Sequence, residues 1–375
     1  MNRAGEYIKV NLGEASYNAY RPAPLPPCPN LVIDEAMLDA ISRASHSIGE
    51  LDAVSELVPD VKLFLGAYVR KEALLSSQIE GTQATLEDIL DAGNDVAVNA
   101  EVDEVVNYVK ALGYAVERMK TLPLGCRLLK ETHEVLMSGV RGEDKSPGEF
   151  RRSQNWIGAA GSTIATAKYV PPTVEEMNIA MSDLEKYINM SEDDTLLKTA
   201  LAHYQFETIH PFLDGNGRIG RMLIVLMLLQ GGVLRTPTLY MSLYLKLNRV
   251  EYYDRLSEVR RRGDYEQWVK FFLNGVDETA RDCSAAIRKL SALLATDGAK
   301  LALQPQSVKN VFELLKSEPI VTAKHVTEKL GLSYATASAA LSALEEQGVV
   351  RRANDARRNR VFEYGNYIDI LKSGT

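Results

Sequence analysis

The stretch HPFLDGNGRIGR, from His210 to Arg221, decides how this chain is interpreted. It sets a histidine, a carboxylate and two arginines around a Gly-Asn-Gly turn, and the apolar run from Met222 to Leu229 follows at once. Gly215 and Gly217 lack a Cβ, so the backbone can turn tightly and approach a ligand. The apolar residues surround the helix axis, which predicts a buried central helix that ends at Gln230.

The polar residues of this stretch suit a nucleotide polyphosphate. Amides of a glycine turn at a helix N-terminus form an anion-binding concavity. Arg218 and Arg221 lie three positions apart on the predicted helix, so both can reach one ligand. Asp214 offers a hard oxygen ligand for Mg²⁺, and His210 can act as a general base at neutral pH. The stretch therefore predicts a polyphosphate site beside a proton acceptor.

The stretch resembles the Fic family signature HxFx(D/E)GNGRxxR and agrees with it at every fixed position. Most members of this family that resemble this chain are protein adenylyltransferases, which move AMP from ATP to a hydroxyl side chain of a target protein. The resemblance implies a mainly α fold: a Fic-type helical bundle with a small β-hairpin flap. It also implies ATP as substrate, Mg²⁺ as cofactor and a target protein modified on Ser, Thr or Tyr.

The resemblance assigns a role to each signature residue. His210 would take the proton from the target hydroxyl as that oxygen attacks the α-phosphorus, and Asp214 would hold the α- and β-phosphates through Mg²⁺. Arg218 would pair with the β-phosphate region and Arg221 with the γ-phosphate, while Phe212 should be buried. The phosphate-binding set would comprise Asp214, Gly215, Asn216 (amide and side chain), Gly217, Arg218, Ile219, Gly220 and Arg221.

Two further segments correspond to binding regions of the family. Residues 155–169 would form the target-docking flap, where a substrate backbone can add as a strand; an ordinary surface hairpin is the alternative. Tyr252 and Tyr253 lie where related proteins have tyrosines near the adenine, and core packing is the alternative. Related sequences often have an asparagine where this chain has Arg260, which leaves the adenine contacts open.

Upstream, Ser76-Ser77-Gln78-Ile79-Glu80-Gly81 resembles the (S/T)xxxE(G/N) inhibitory motif of one Fic class. The implied brake is a charge-assisted pair between Glu80 and Arg221, which would occupy the place of the γ-phosphate. Ser76 would brace the helix end. A solvated glutamate before a helix-ending glycine is the alternative. Some braked members also remove AMP, so this reverse activity stays open.

The chain is predicted to contain four regions. Within the first, residues 1–30 end in a proline-rich stretch that predicts an extended arm. The regions are an N-terminal helical region with the inhibitory motif (1–120), a Fic catalytic core (121–280), a linker helix (281–306) and a winged helix-turn-helix (307–375).

The last region is assigned from three short predicted helices, at 308–315, 323–330 and 334–347, before the hairpin-like VVRRANDARRNRVFEY. Five arginines between positions 351 and 360 suit a phosphate backbone. The third helix, however, has few residues that read bases. DNA contact and protein docking are both open.

Composition limits the remaining functions. The net charge of −7 argues against wholesale binding of nucleic acids or acidic membranes. Three scattered cysteines without a C-x-x-C indicate neither a disulfide framework nor a structural zinc site. The N-terminus lacks a signal-peptide core, and the longest apolar run is too short to span a bilayer. We therefore expect a cytoplasmic protein without a membrane partner; a homodimer is left open.

Two alternative functions use the same pocket. An ATP-sensing, DNA-binding transcription regulator would need the phosphate cradle but not the base, so the intact His210 favours an enzyme. A phosphotransferase of this family usually carries a lysine at the second signature glycine, where this chain has Gly217. The complete signature therefore favours AMP transfer.

Overall fold

A computed structural model describes the protein over most of its length. The described residues are 2–12, 15–56, 61–90, 100–159, 161–354 and 360–372. The chain forms two compact units, which consist of Met1–Gly49 with Asn107–Ala280 and of Glu50–Val106 with Arg281–Thr375. The first unit thus contains the signature, and the second contains both the inhibitory motif and the C-terminal region.

The described residues are mainly helical. Their helices in chain order are α1 (Glu35–Glu56), α2 (Val61–Ile79), α3 (Leu86–Leu90), α4 (Ala100–Arg118), α5 (Cys126–Met137), α6 (Val174–Met190), α7 (Thr195–Ile209), α8 (Asn216–Gln230), α9 (Ser242–Leu247), α10 (Arg249–Arg262), α11 (Tyr265–Lys300), α12 (Gln306–Ser317), α13 (Ala323–Leu330), α14 (Tyr334–Glu346) and α15 (Gly365–Lys372). None of these helices combines the length and hydropathy needed to cross a bilayer.

The predicted central helix is confirmed as α8, which has the expected end at Gln230. It packs against α7, which in turn packs against α6. Asp194 caps α7 by accepting hydrogen bonds from the amides of Leu196 and Leu197. Helices α7 and α8 are buried along almost their whole length. The signature therefore stands between two rigid core helices.

The N-terminal residues that precede most of the proline-rich stretch form a hairpin, which was not predicted. Strands β1 (Gly5–Leu12) and β2 (Ala15–Pro22) form an antiparallel hairpin. Tyr20 on β2 is fully buried, and its amide donates to the Val170 carbonyl at 3.0 Å. The hairpin is thus held by a tertiary contact that the local sequence does not reveal.

Helix α11 runs unbroken from Tyr265 to Lys300. Gly275 lies inside this helix, where a Cβ would stand 2.5 Å from Tyr244 Cδ1. The glycine therefore makes room for an aromatic ring and does not end a helix.

In the second unit, α12, α13 and α14 form where three short helices were predicted. Gly331 ends α13 with φ of 65°, and Ser333 caps α14 by accepting from the Thr336 amide. Strands β3 (Ile320–Thr322), β4 (Arg351–Arg352) and β5 (Val361–Glu363) form an antiparallel sheet of order β3-β5-β4. The arginines Arg357 and Arg358 lie outside the described residues. The winged helix-turn-helix assignment stays a prediction.

Candidate active site

The signature loop, residues 210–215, connects α7 to α8. His210 caps α7 in the left-handed conformation, with φ of 50° and ψ of 61°. Its amide donates to the Phe206 carbonyl at 2.9 Å. Gly215 precedes α8 with φ of 74°. Left-handed backbone is unfavourable for a residue with a Cβ, so the surroundings must hold His210 in place.

Asn216 closes this loop from the inside. Its Oδ1 accepts from the Phe212 amide and its Nδ2 donates to the Phe212 carbonyl, both at 2.8 Å. The residue is only 3 % exposed. This differs from the expected phosphate contact of the side chain, because the side-chain amide is committed to the loop. Its backbone amide, in the first turn of α8, is available to an anion by the general rule for helix ends.

His133 on α5, which sequence reasoning missed, supports the other side of the loop. Its ring stacks on Phe212, which is fully buried as predicted, with centroids 3.9 Å apart. The Gly148 amide donates to Nδ1 at 3.0 Å, so Nε2 carries the proton and donates to the Asp214 carbonyl at 3.0 Å. Burial lowers the pKa of His133 to about 4. The available signal was that His133 shares one helix face with the apolar residues Leu129, Leu136 and Met137.

Asp214 supplies the loop's carboxylate. The Asp214 side chain is 39 % exposed, and its Oδ1 lies 2.6 Å from the Gly215 amide and 3.5 Å from Arg218 Nη2. Mg²⁺ is commonly held by one or two carboxylates while phosphates and waters complete its shell. A half-exposed carboxylate beside the loop fits that requirement. No group of three or more His, Cys, Asp or Glu side chains among the described residues could hold a metal by itself.

Both signature arginines are buried: Arg218 is 1 % exposed and Arg221 is 2 % exposed. Arg218 also donates to Met137 Sδ at 3.5 Å. Charges separated from water interact more strongly than charges in it, so these cations can attract a polyphosphate strongly. Gly217, in the first turn of α8, is half-buried, whereas the Ile219 side chain belongs to the core.

Gly220 on α8 faces the Glu207 side chain of α7. A Cβ at this position would collide with the Glu207 carboxylate. The Gly220 carbonyl accepts from His203 Nδ1 at 2.9 Å, so His203 Nε2 accepts from the Tyr252 hydroxyl at 3.0 Å. Burial lowers the pKa of His203 to about 4. The neutral histidine thus connects α8 to α10.

This connection favours core packing, the alternative left open for Tyr252. The ring is 1 % exposed and packs against His203 and Trp268, with centroids 6.1 and 6.0 Å away. A covered ring has no free face for adenine, so Tyr252 acts in the core. Tyr253 is half-buried under the Arg249 guanidinium and stays a candidate.

The flap region shows one antiparallel bridge, between Ile157 and Tyr169, with N···O distances of 2.8 and 3.0 Å. Trp156 and Ile157 are 43 % and 36 % exposed, so they are accessible to another chain. The Arg260 guanidinium lies 4.0 Å from the Tyr169 ring centroid. Arg260 therefore packs on one of the two residues of this bridge.

Two more residues that sequence reasoning missed contact the catalytic loop. Arg151 Nε and Asn155 Nδ2 both donate to the His210 carbonyl, at 3.1 and 3.3 Å. The sequence around Arg151 and Asn155 does not reveal these roles, because the partner of each residue lies more than fifty positions away.

The inhibitory motif lies at the end of α2 in the second unit. Ser76 is fully buried and Glu80 is exposed. The Glu80 amide donates to the Ser77 carbonyl at 3.0 Å, and Gly81 follows with φ of 108°. Helix α2 therefore ends just before Gly81. The pairing of Glu80 with Arg221 stays a prediction.

Comparison with known proteins relates this site to a family. The sequence profile of the Fic/DOC family matches residues 123–228, and that of the Fic/DOC family N-terminal region matches residues 38–117. The chain therefore contains the N-terminal region and the Fic domain of the Fic/DOC family. The Fic match contains His133, the flap and the whole signature, and the N-terminal match contains Ser76 and Glu80. Tyr252 and Tyr253 lie beyond both matches.

Curated relatives carry the name "Protein adenylyltransferase Fic". The protein from Aedes aegypti is 33% identical over 35% of this chain and 24% of its own length. The one from Drosophila grimshawi is 32% identical over 48% of this chain and 33% of its own length. The chain therefore spans only a quarter to a third of these relatives.

Two solved structures show the same fold. A Fic family protein from Desulfovibrio desulfuricans matches with a TM-score of 0.58 and 20% identity, over 89% of this chain and 97% of that protein. A Fic domain containing signaling protein from Bacteroides thetaiotaomicron matches with a TM-score of 0.53 and 19% identity, over 67% and 97%. At such identities the likeness concerns the Fic fold alone.

Proposed function

We propose that this chain is a protein adenylyltransferase, which transfers AMP from ATP to a Ser, Thr or Tyr hydroxyl of a target protein. One observation carries the proposal: an intact His210 stands at the end of α7, one short loop before a helix whose two arginines are buried. The name shared by the curated relatives supports it.

In this reaction His210 takes the proton of the target hydroxyl while its oxygen forms a bond to the α-phosphorus. The bond from that phosphorus to the bridging oxygen breaks, and pyrophosphate leaves. Arg218 and Arg221 hold the β- and γ-phosphates, with the amides at the start of α8 facing developing charge. Proton abstraction by a positioned base contributes about 10²–10⁴-fold.

Asp214 is the residue that would hold Mg²⁺. The ion, when bound, would neutralise phosphate charge, and the half-exposed Asp214 carboxylate would orient the complex from the protein side. His133 and Asn216 take no part in bond making. They keep the loop in the shape that presents Asp214 and His210 together.

We also propose that Glu80 restrains the reaction by pairing with Arg221, and that Ser76 braces the end of α2. The match of the family's N-terminal profile over this segment supports the proposal. A carboxylate on Arg221 would compete with the γ-phosphate for the same guanidinium.

Transfer of label from ATP tests the reaction type. The Glu80→Gly variant is incubated with a cell lysate and either α-labelled or γ-labelled ATP. Label that is absent with His210→Ala is expected from the α position alone. His46→Ala is the matched control, because His46 is an exposed histidine on α1 and should leave labelling unchanged. Label from the γ position that is lost in His210→Ala would overturn AMP transfer in favour of phosphotransfer.

A further inference from the structure

We propose that Asn155 and Arg151 are positioning residues: they hold the carbonyl of the catalytic base His210 and thereby connect its orientation to the flap. The inference rests on the proposed transfer reaction and deepens it. Here the flap base means residues 151–155 and 169–172, the two chain segments from which the flap emerges.

Asn155 bridges the two ends of the His-Pro-Phe turn. Its Nδ2 donates to the His210 carbonyl at 3.3 Å and to the Phe212 carbonyl at 2.9 Å. The NH₂ group of Asn155, which lies outside the signature, therefore binds two carbonyls of the signature loop. Asn216, which belongs to the signature, donates to the Phe212 carbonyl as well.

Arg151 makes the second connection. It is 1 % exposed, and its Nε donates to the His210 carbonyl at 3.1 Å while Nη2 donates to the Pro172 carbonyl at 2.5 Å. Its own amide donates to the Pro211 carbonyl at 2.9 Å. Burial lowers the pKa of Arg151 to about 10, so the guanidinium is still charged at neutral pH. The Arg151 side chain therefore links the catalytic loop to the second segment of the flap base, residues 169–172.

These contacts explain how a residue with a Cβ keeps left-handed backbone. That conformation costs roughly 1–2 kcal/mol, and two donors on the same carbonyl fix the peptide plane next to the imidazole. Displacing a catalytic group by about 1 Å can cost about 10²-fold in rate. A shift of the flap base, through Pro172 or Asn155, would therefore change the direction of the His210 ring.

Gln154 offers a matched control. Its Nε2 donates to the carbonyls of Asn155, Pro171 and Pro172 at 3.1, 3.0 and 3.4 Å. Those hydrogen bonds hold the flap base and do not reach His210. Asn155→Ala and Gln154→Ala thus each remove one carboxamide group at adjacent positions of the chain. Only the carboxamide of Asn155 contacts the catalytic loop.

The experiment has a structural and a kinetic readout. The imidazole NMR signal of His210, followed from pH 5 to 9 without nucleotide, should change position in Asn155→Ala. The change should be clearly smaller in Gln154→Ala, which loosens the flap base but removes no donor to the His210 carbonyl. In the Glu80→Gly background, Asn155→Ala should slow automodification from α-labelled ATP by about 10–100-fold, with ATP affinity within about 2-fold. Arg151→Lys keeps the charge but replaces the guanidinium by a single ammonium group. Its automodification rate in the same background should lie between that of Glu80→Gly and that of the Asn155→Ala variant.

Equal effects of Asn155→Ala and Gln154→Ala on the His210 signal would overturn the inference, as would an unchanged automodification rate in Asn155→Ala. Loss of ATP affinity in proportion to rate would indicate a purely structural role and would overturn it as well. If Glu80→Gly itself transfers no AMP, the proposed function fails, and the NMR comparison still decides the positioning role.

Discussion

At the scale of single residues, three histidines of the first unit have different tasks. His133 and His203 are buried and neutral, and each has one tautomer fixed by a backbone partner. They join α5 to the signature loop and α8 to α10. His210 is half-exposed and is the proposed base. The two buried rings are thus structural parts of the site, and the third histidine is the one accessible to a target hydroxyl.

We expect the free energy of unfolding to fall as the pH drops from 6.5 to about 4. The folded-state pKa of His133 and His203 is about 4, below the usual 6.5, so the unfolded chain takes up protons first. Their stabilisation is complete above pH 6.5, and each shift corresponds to about 3 kcal/mol. Urea denaturation at pH 7.5, 6 and 5 measures the loss. His133→Gln keeps a donor and an acceptor, and it should make the free energy of unfolding depend less steeply on pH. The same pH dependence in the variant and in wild type would contradict the assignment of the low pKa to His133.

At the scale of elements, α7, the loop and α8 form one structural motif in which Gly220 of α8 faces the Glu207 side chain of α7. The carboxylate of Glu207 occupies the space where a side chain at Gly220 would stand. Gly220 therefore leaves room for this buried carboxylate, while Gly215 serves the turn with its φ of 74°.

Alanine at two helical glycines should have opposite effects. Gly220→Ala should destabilise the protein by about 1–3 kcal/mol, because the new methyl group collides with Glu207. Gly113→Ala, in an exposed position of α4 with nothing within 4 Å of its Cβ site, should stabilise it by about 0.5–1 kcal/mol. Chemical denaturation measures both. A stabilising Gly220→Ala would show that α7 and α8 adjust to each other freely.

Elements were predictable where local signals suffice. Apolar periodicity and flanking glycines fix α8, and Ser333 with Gly331 fixes the start of α14 and the end of α13. The N-terminal hairpin was missed, and the choice between core packing and adenine contact was left open for Tyr252. A partner distant in sequence decides each of them: Val170 for the strand and His203 for the ring. Arg151 and Asn155 escaped for the same reason, since their partner is the backbone of His210.

At the scale of the whole molecule, the inhibitory motif and the signature belong to different compact units. Glu80→Gly should raise automodification strongly if the carboxylate competes with the γ-phosphate for Arg221. Glu80→Gln, which keeps the size and removes the charge, should raise it as well. Glu87→Gln is the control, because this nearby glutamate on α3 pairs with Lys372 and should leave labelling unchanged. Unchanged labelling in both Glu80 variants would show that Glu80 is no brake.

The C-terminal region is expected to bind DNA weakly at most. Arg351 pairs with Glu363 and Asp369, and Arg352 pairs with Glu345 at 2.9 Å, so carboxylates already neutralise these cations. A gel shift with duplex DNA should show no complex at low salt. A stable complex that weakens steeply with added salt would contradict this and support phosphate contacts.

The most direct test of the central claim is the intact mass of the protein after incubation with unlabelled ATP and Mg²⁺. Glu80→Gly should gain whole adenylyl groups, each the mass of AMP less water, and the double variant Glu80→Gly with His210→Ala should gain none. An increment of a single phosphoryl group, or an adenylyl increment that persists without His210, would contradict the account.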